Sequence, residues 1–206
     1  MVGMSATTSR IGNIMRKECH ILLDEPDITA QNFTACRTEA EVYLILGSHQ
    51  CIAKCSNIDP EKKYIELEYH SNGNLKGYWP ATGQASRKKT CDIERYQMIQ
   101  SVAYIHSKGV RHSDIRLDQW LAYADHNARL SDFNASGFDD QPDLNLRRRP
   151  AQGLESPSHY LPRNPGLDST VESDLFALGS ALYELVTNYR PYETLSNESI
   201  EARFRE

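Results

Sequence analysis

Apolar positions fall into short alternating runs in the first third of the chain and into longer runs of helical spacing in the remainder. Between Arg10 and Leu23, the residues Ile11, Ile14, Met15, Ile21, Leu22 and Leu23 predict short strands of an irregular sheet. Asp24-Glu25-Pro26-Asp27 is a turn or a helix start, and Thr38 to Leu46 has helical spacing that stops at Gly47. Ile52-Ala53-Lys54 and Tyr64 to Tyr69 alternate as strands do, joined by a polar turn from Asn57 to Lys63. Ser71-Asn72-Gly73-Asn74 breaks the pattern, and the basic, polar stretch from Leu75 to Thr90 predicts a short helix and a loop.

A long amphipathic helix is expected from about Cys91 to Gly109, with Ile93, Tyr96, Ile99, Val102, Ala103 and Ile105 as its apolar face. Trp120-Leu121-Ala122-Tyr123 reads as a short apolar strand. Residues 135–164 are polar, hold several prolines and are too long for an ordinary connection, so they are either disordered or functional. Within them, Arg147-Arg148-Arg149 is read as a solvated charge run, with docking of acidic peptides the alternative. Asp174 to Val186 is a second apolar helix. A strand-rich first third and a helix-rich remainder predict an α+β chain of two lobes.

Composition narrows the function classes. Net charge is −5 and the isoelectric point is near 5.8, which offers no basic field to nucleic acid or to an acidic membrane surface. No apolar run approaches the ~20 residues of a membrane span, and Met1 to Arg10 lacks the apolar core of a secretory signal. Five scattered cysteines predict free thiols and a cytoplasmic or nuclear protein. His49, Cys51 and Cys55 have no fourth ligand at zinc-site spacing.

The chemistry concentrates in Gly109 to Leu121, where Asp114 lies in a loop between a helix end and a strand, and in Asp132, which follows the next apolar run. Two carboxylates on consecutive strand-flanked loops suit a metal–nucleotide reaction, one taking a proton and one holding the metal. Taken singly, each is as readily a turn aspartate.

His112-Ser113-Asp114 followed by Gln119, and Asp132-Phe133-Asn134 eighteen residues after Asp114, resemble the catalytic loop and metal-binding motif of the eukaryotic protein kinase family. Met98 to Val110 resembles the helix leading into that loop. Ile65 to Tyr69 with Asn72-Gly73-Asn74-Leu75 resembles the strand and hinge between lobes, and Ser173 to Gly179 the helix whose Asp supports the loop backbone. Glu155 to Arg163 resembles the end of the activation segment. The resemblance implies a two-lobed protein-kinase-like fold, incomplete at both ends, with residues 1–70 as the N-lobe and 71–206 as a partial C-lobe. It implies ATP and Mg²⁺ as cofactors. Asp114 would orient the substrate hydroxyl, Arg116 would contact the transferred phosphate, and Gln119 and Asp132 would hold the metal. Glu68, Tyr69 and His70 would meet the nucleotide at the hinge. Glu39 would pair with a strand cation, Arg16 or Lys17, with Lys17 preferred and Glu41 as the alternative acid. Ser156 would hydrogen-bond near Asp114.

The sequence departs from the family pattern in several places. The phosphate-cradling glycine loop is not visible, and Gln119 replaces the metal-binding Asn, one methylene longer. Asn134 replaces the Gly of D-F-G. Ser113 replaces the Arg that would receive an activation-segment phosphate. Leu161-Pro162-Arg163 replaces A-P-E with inverted charge. The expected function is ATP-dependent phosphorylation of protein serine or threonine hydroxyls at reduced efficiency. A pseudokinase scaffold is the alternative, and a small-molecule phosphotransferase the third reading. The expected partners are a protein substrate or a regulatory protein, with neither nucleic acid nor membrane. An exposed apolar surface on the late helix is also expected.

Overall fold

The computed structural model describes residues 5–78, 84–123, 127–151, 153, 155–164 and 166–206. The N-terminal part is a four-stranded antiparallel sheet of β1 (Ala6–Ile11), β2 (Ile14–Cys19), β3 (Cys55–Ile58) and β4 (Tyr64–Glu68), in the order β1-β2-β4-β3. A long helix, α1 (Pro26–Leu46), packs against β2 and β4. Its second half buries Ala40, Val42, Tyr43 and Leu46. The helix begins twelve residues earlier than its apolar spacing shows (38 − 26), at Pro26. Most of that first half is solvent-exposed and polar, so it carries little hydrophobic signal.

Three strand expectations are corrected. β2 ends at Cys19, and Leu23 is 92% exposed, so Ile21 to Leu23 form no strand. Ile52-Ala53 is a buried link rather than a sheet strand: the Ala53 amide donates to the Leu130 carbonyl (2.8 Å) and the Leu130 amide to that of Cys51 (2.8 Å). β3 takes up Asn57 and Ile58, part of the stretch read as a turn, because Asn57 pairs with Glu66 and Ile58 with Ile65.

The C-terminal part follows α2 (Leu75–Tyr78) and is built on α3 (Gln84–Ser107) and α4 (Val171–Thr187). Between them lie β5 (Val110–Arg111) paired with β8 (Gly137–Phe138), and the hairpin of β6 (Trp120–Ala122) and β7 (Ala128–Leu130). Gly109, at φ +70°, ends the turn after α3, as expected. The buried seam of α3 contains Met98, Ser101, Val102 and Ile105, whereas Ile93, Tyr96, Ile99 and Ala103 are exposed. Four of the six residues of the apolar face read from the sequence therefore point away from the core.

The N-terminus of α4 is closed by a capping box, in which the Thr170 hydroxyl accepts from the Ser173 amide and the Ser173 hydroxyl from the Thr170 amide. Ala177, Leu178, Ala181 and Leu185 of α4 join the core, while Leu175, Tyr183 and Val186 stay exposed. A last helix, α5 (Asn197–Arg205), capped by Ser196, was not anticipated, since it buries only Ile200 among the described residues. The long polar stretch is ordered where it is described. Phe138 and Arg149 exchange backbone hydrogen bonds of 3.0 and 2.9 Å. Gly137 allows the segment to pass close by, since a Cβ there would lie 2.3 Å from the Ala151 nitrogen. No helix among the described residues is long and apolar enough to cross a membrane.

Candidate active site

The strand period decides which β2 cation faces the cleft. Arg16 stands opposite Glu66 of β4, pairs with it at 2.6 Å and stacks on Tyr64. Lys17, one residue on, points to the other face of the sheet. There its ammonium lies 2.7 Å from Glu39 of α1 and 2.5 Å from Asp132. Burial pulls the Lys17 ammonium down, but the two carboxylates outweigh it and raise it above its ordinary value. Burial also raises Glu39, against Lys17, and would raise Asp132 had Lys17 not brought it below the usual carboxylate range. Glu41 lies on a different side of α1, where Arg37 and Lys62 reach it, so Glu39 is the acid that meets Lys17.

Asp132 and Ser113 both adopt left-handed backbone, at φ 65° and 68°. Such conformations cost on the order of 1–3 kcal/mol each in non-glycine residues and persist only where neighbours impose them. The constraint at Ser113 comes from Asp174 of α4, whose carboxylate accepts from the amides of His112 (2.8 Å) and Ser113 (2.9 Å) and lies 2.9 Å from His106 Nε2. His112 is fully buried, with its Nε2 3.0 Å from the Ser131 carbonyl. Phe133 packs edge-on to Tyr43 of α1 (5.3 Å) and tilted to His112 (5.1 Å), so one side chain joins α1 to both acidic loops.

Asp114 is 4% exposed. Its Oδ2 accepts from the Gln119 amide (2.6 Å) and lies 3.1 Å from Arg116, while Oδ1 is buried without a hydrogen-bond partner. Burial pushes the Asp114 carboxyl up to about 7; the Asp132 charge adds to this, and Arg116 and Gln119 oppose it. An orphaned, buried acceptor beside a guanidinium is a place where a hydroxyl can be received. Asp132 keeps a third of its side chain exposed. Ser131, the residue before it, donates both its amide and its hydroxyl to the Gln119 backbone carbonyl. Carboxylate and carboxamide oxygens are the hard donors that suit magnesium, so the side chains present fit that ion.

The expected hinge residues lie at the end of β4. Glu68 stands 3.8 Å from Arg129. Tyr69 uses its amide on the Asn13 carbonyl (3.1 Å) and lies under the Arg10 guanidinium, so that amide is not offered to a ligand. His70 packs on Tyr123 at 4.1 Å between ring centres, and burial, with Arg129 adding, lowers its imidazole to about 4. Ser156 does not bond Asp114: its hydroxyl lies 2.9 Å from His159 Nδ1. Arg163, the inverted charge, finds a local acid in Glu155 at 3.0 Å and also donates to Ser169. Glu155 opens the stretch read as the end of the activation segment, but its pairing with Arg163 had no spacing signal.

A model of the protein kinase domain matches residues 21–206. The chain belongs to the protein kinase family. This kinase domain is 33% identical over 141 residues to a Dictyostelium discoideum protein named "Probable serine/threonine-protein kinase", covering 68% of the chain and 27% of that protein. It is 29% identical to the maternal embryonic leucine zipper kinase of Danio rerio over 71% of the chain and 22% of the relative. It is 28% identical to CBL-interacting serine/threonine-protein kinase 8 of Arabidopsis thaliana over 73% of the chain and 34% of the relative. The matched stretch thus spans between about a fifth and a third of these relatives' length. The strand-rich sheet and helical remainder are the two lobes of the kinase fold.

Proposed function

We propose that this kinase domain transfers the terminal phosphoryl group of ATP to serine or threonine hydroxyls of a protein. The observation that carries the reading is the joint placement of Lys17 between Glu39 and Asp132, with Asp114 presenting an unpartnered buried oxygen. Bound Mg-ATP supplies the transferable group and the charge neutralisation. Lys17, held in place by Glu39, orients the nucleotide phosphates, and Asp132 with Gln119 holds the metal. Asp114 Oδ1 accepts the proton of the attacking hydroxyl, and Arg116 faces the transferred charge. The division between lobes falls near residue 70, with Glu68 to His70 at the nucleotide edge. The serine/threonine assignment follows the names of the relatives, and a regulatory protein partner follows the CBL-interacting name of one of them. Free, mostly buried cysteines accord with a cytoplasmic or nuclear setting.

A second reading, a scaffold without turnover, is favoured by one contact. Gln119 directs its amide nitrogen at Asp114, so the metal-side residue is tied to the proton acceptor. Thermal melting with Mg-ATP separates the two. At a hundredfold excess over the dissociation constant, the nucleotide adds about 2.7 kcal/mol to stability, and radiolabel passes to a generic protein substrate. Asp114→Asn keeps the melting shift and loses the transfer. A melting shift with no transfer in the unaltered chain selects the scaffold, and no shift at millimolar Mg-ATP removes nucleotide binding altogether.

A further inference from the structure

The arginine run in the activation segment is not simply a solvated patch. Arg148 is held outside, its backbone amide on Asp140 (3.0 Å) and its guanidinium on Asp168 (2.9 Å). Arg149 turns inward and reaches Glu41 of α1 at 2.9 Å. Glu41 is almost fully buried and uses its two oxygens differently. Oε1 accepts from Arg37 and Lys62, both at 2.9 Å and both in the N-terminal lobe, while Oε2 accepts from Arg149 across the lobe boundary. Arg149 has little freedom to leave, since its backbone is paired to Phe138 on both sides. Glu41 stands two residues beyond Glu39, so whatever fixes one on the helix constrains the other.

We infer that Arg149 is a positioning residue that ties the activation segment to α1 through Glu41 and so holds Glu39 against Lys17 without any phosphorylation. The inference rests on the kinase reading above. A phosphorylated segment brings negative charge and needs cations to receive it. Here the segment brings the cation, the helix brings the anion, and Ser113 places no cation beside Asp114. Arg37 and Lys62 keep the Glu41 charge compensated when Arg149 is removed, so what such a change breaks is the tie across the lobe boundary at Oε2.

The test compares the unaltered full chain with Arg149→Gln, Lys62→Gln and Arg148→Gln. Lys62→Gln also takes a donor from Glu41 but crosses no lobe boundary, and Arg148→Gln removes the neighbouring charge. Arg149→Gln is expected to lower kcat about three- to tenfold, within the roughly two- to thirtyfold span of coupling changes at positions off the reacting groups. It leaves KM for a protein substrate within about twofold and speeds amide exchange over residues 38–46. The other two variants change neither readout beyond that twofold margin, and phosphatase treatment leaves the unaltered rate intact. Equal effects of Arg149→Gln and Lys62→Gln on rate and exchange overturn the inference, as does loss of activity with phosphatase. If the unaltered chain transfers no phosphate, the proposed reaction fails, while the exchange comparison still decides whether Arg149 holds α1.

Discussion

Asp114 has two properties that pull in opposite directions. Burial suits it to receive a proton from a hydroxyl in a protected place, and the same burial raises its carboxyl to about 7, so part of the population is protonated at neutral pH. Only the ionised form can accept the proton, so transfer should rise with pH up to and through about 7 and level off above it. Stability runs the other way. Between the ordinary carboxylate value and about 7 the folded chain binds more protons at Asp114 than the unfolded chain does, so this group weakens the fold as pH rises through that window. Asp114→Asn should therefore melt higher than the unaltered chain at pH 8, by on the order of 1–3 kcal/mol, and show no gain at pH 4. Melting curves at the two values check this, and an equal shift at both would mean that the charge of Asp114 is not the cause.

The elements differ in how firmly they hold the site. α4 does so with one side chain: Asp174 supplies acceptors to two consecutive amides at the left-handed Ser113, a conformation with no other evident support from Ser113's own side chain, whose hydroxyl is buried without a partner. Asp174→Ala should cost about 2–5 kcal/mol, because it orphans two buried donors. It should slow transfer more than it weakens Mg-ATP binding, since Lys17, the proposed phosphate contact, lies on another element. Urea unfolding together with a binding isotherm measures both. α1 acts through its second half, which carries Glu39, Tyr43 and the buried apolar residues, while its polar first half extends the helix into solvent. That division explains why only the second half could be read from apolar spacing.

Across the whole molecule, contacts between the lobes include the ion pairs of Lys17 with Asp132 and Arg149 with Glu41, the aromatic contact of Phe133 with Tyr43 and the backbone link of Ala53 with Leu130. Away from that junction, α4 leaves Leu175, Tyr183 and Val186 about half exposed. Apolar surface of this kind favours association of the isolated chain. The double change Leu175→Gln and Val186→Gln should alter stability by no more than about 0.5 kcal/mol per site, as expected for surface positions, while lowering self-association in sedimentation at high concentration. A large stability loss would mean that these side chains support the core.

Local spacing decided the grouping of the loop around Asp114. Asp114, Arg116 and Gln119 lie within six residues of one another, and a short loop brings such neighbours together whatever surrounds it. The Gly109 turn was legible from the glycine at the end of the helical spacing, whereas Asp132 was picked out by its resemblance to a family motif and meets Lys17 across 115 residues. Other choices were settled only by tertiary packing. Arg16 and Lys17 differ by one position, and their facing is set by the register of β2 on β4. Glu39 and Glu41 both look inward along α1, and they part company only because Lys17 waits on one side and Lys62 and Arg149 on the other. The apolar stripe of Ile93, Tyr96 and Ile99 looked like core because hydrophobicity records what can be buried, not which neighbour arrives to bury it. The arginine run was visible as a charge cluster, but nothing local separated Arg149 from its neighbours, since its partner Glu41 lies 108 residues away on the other lobe.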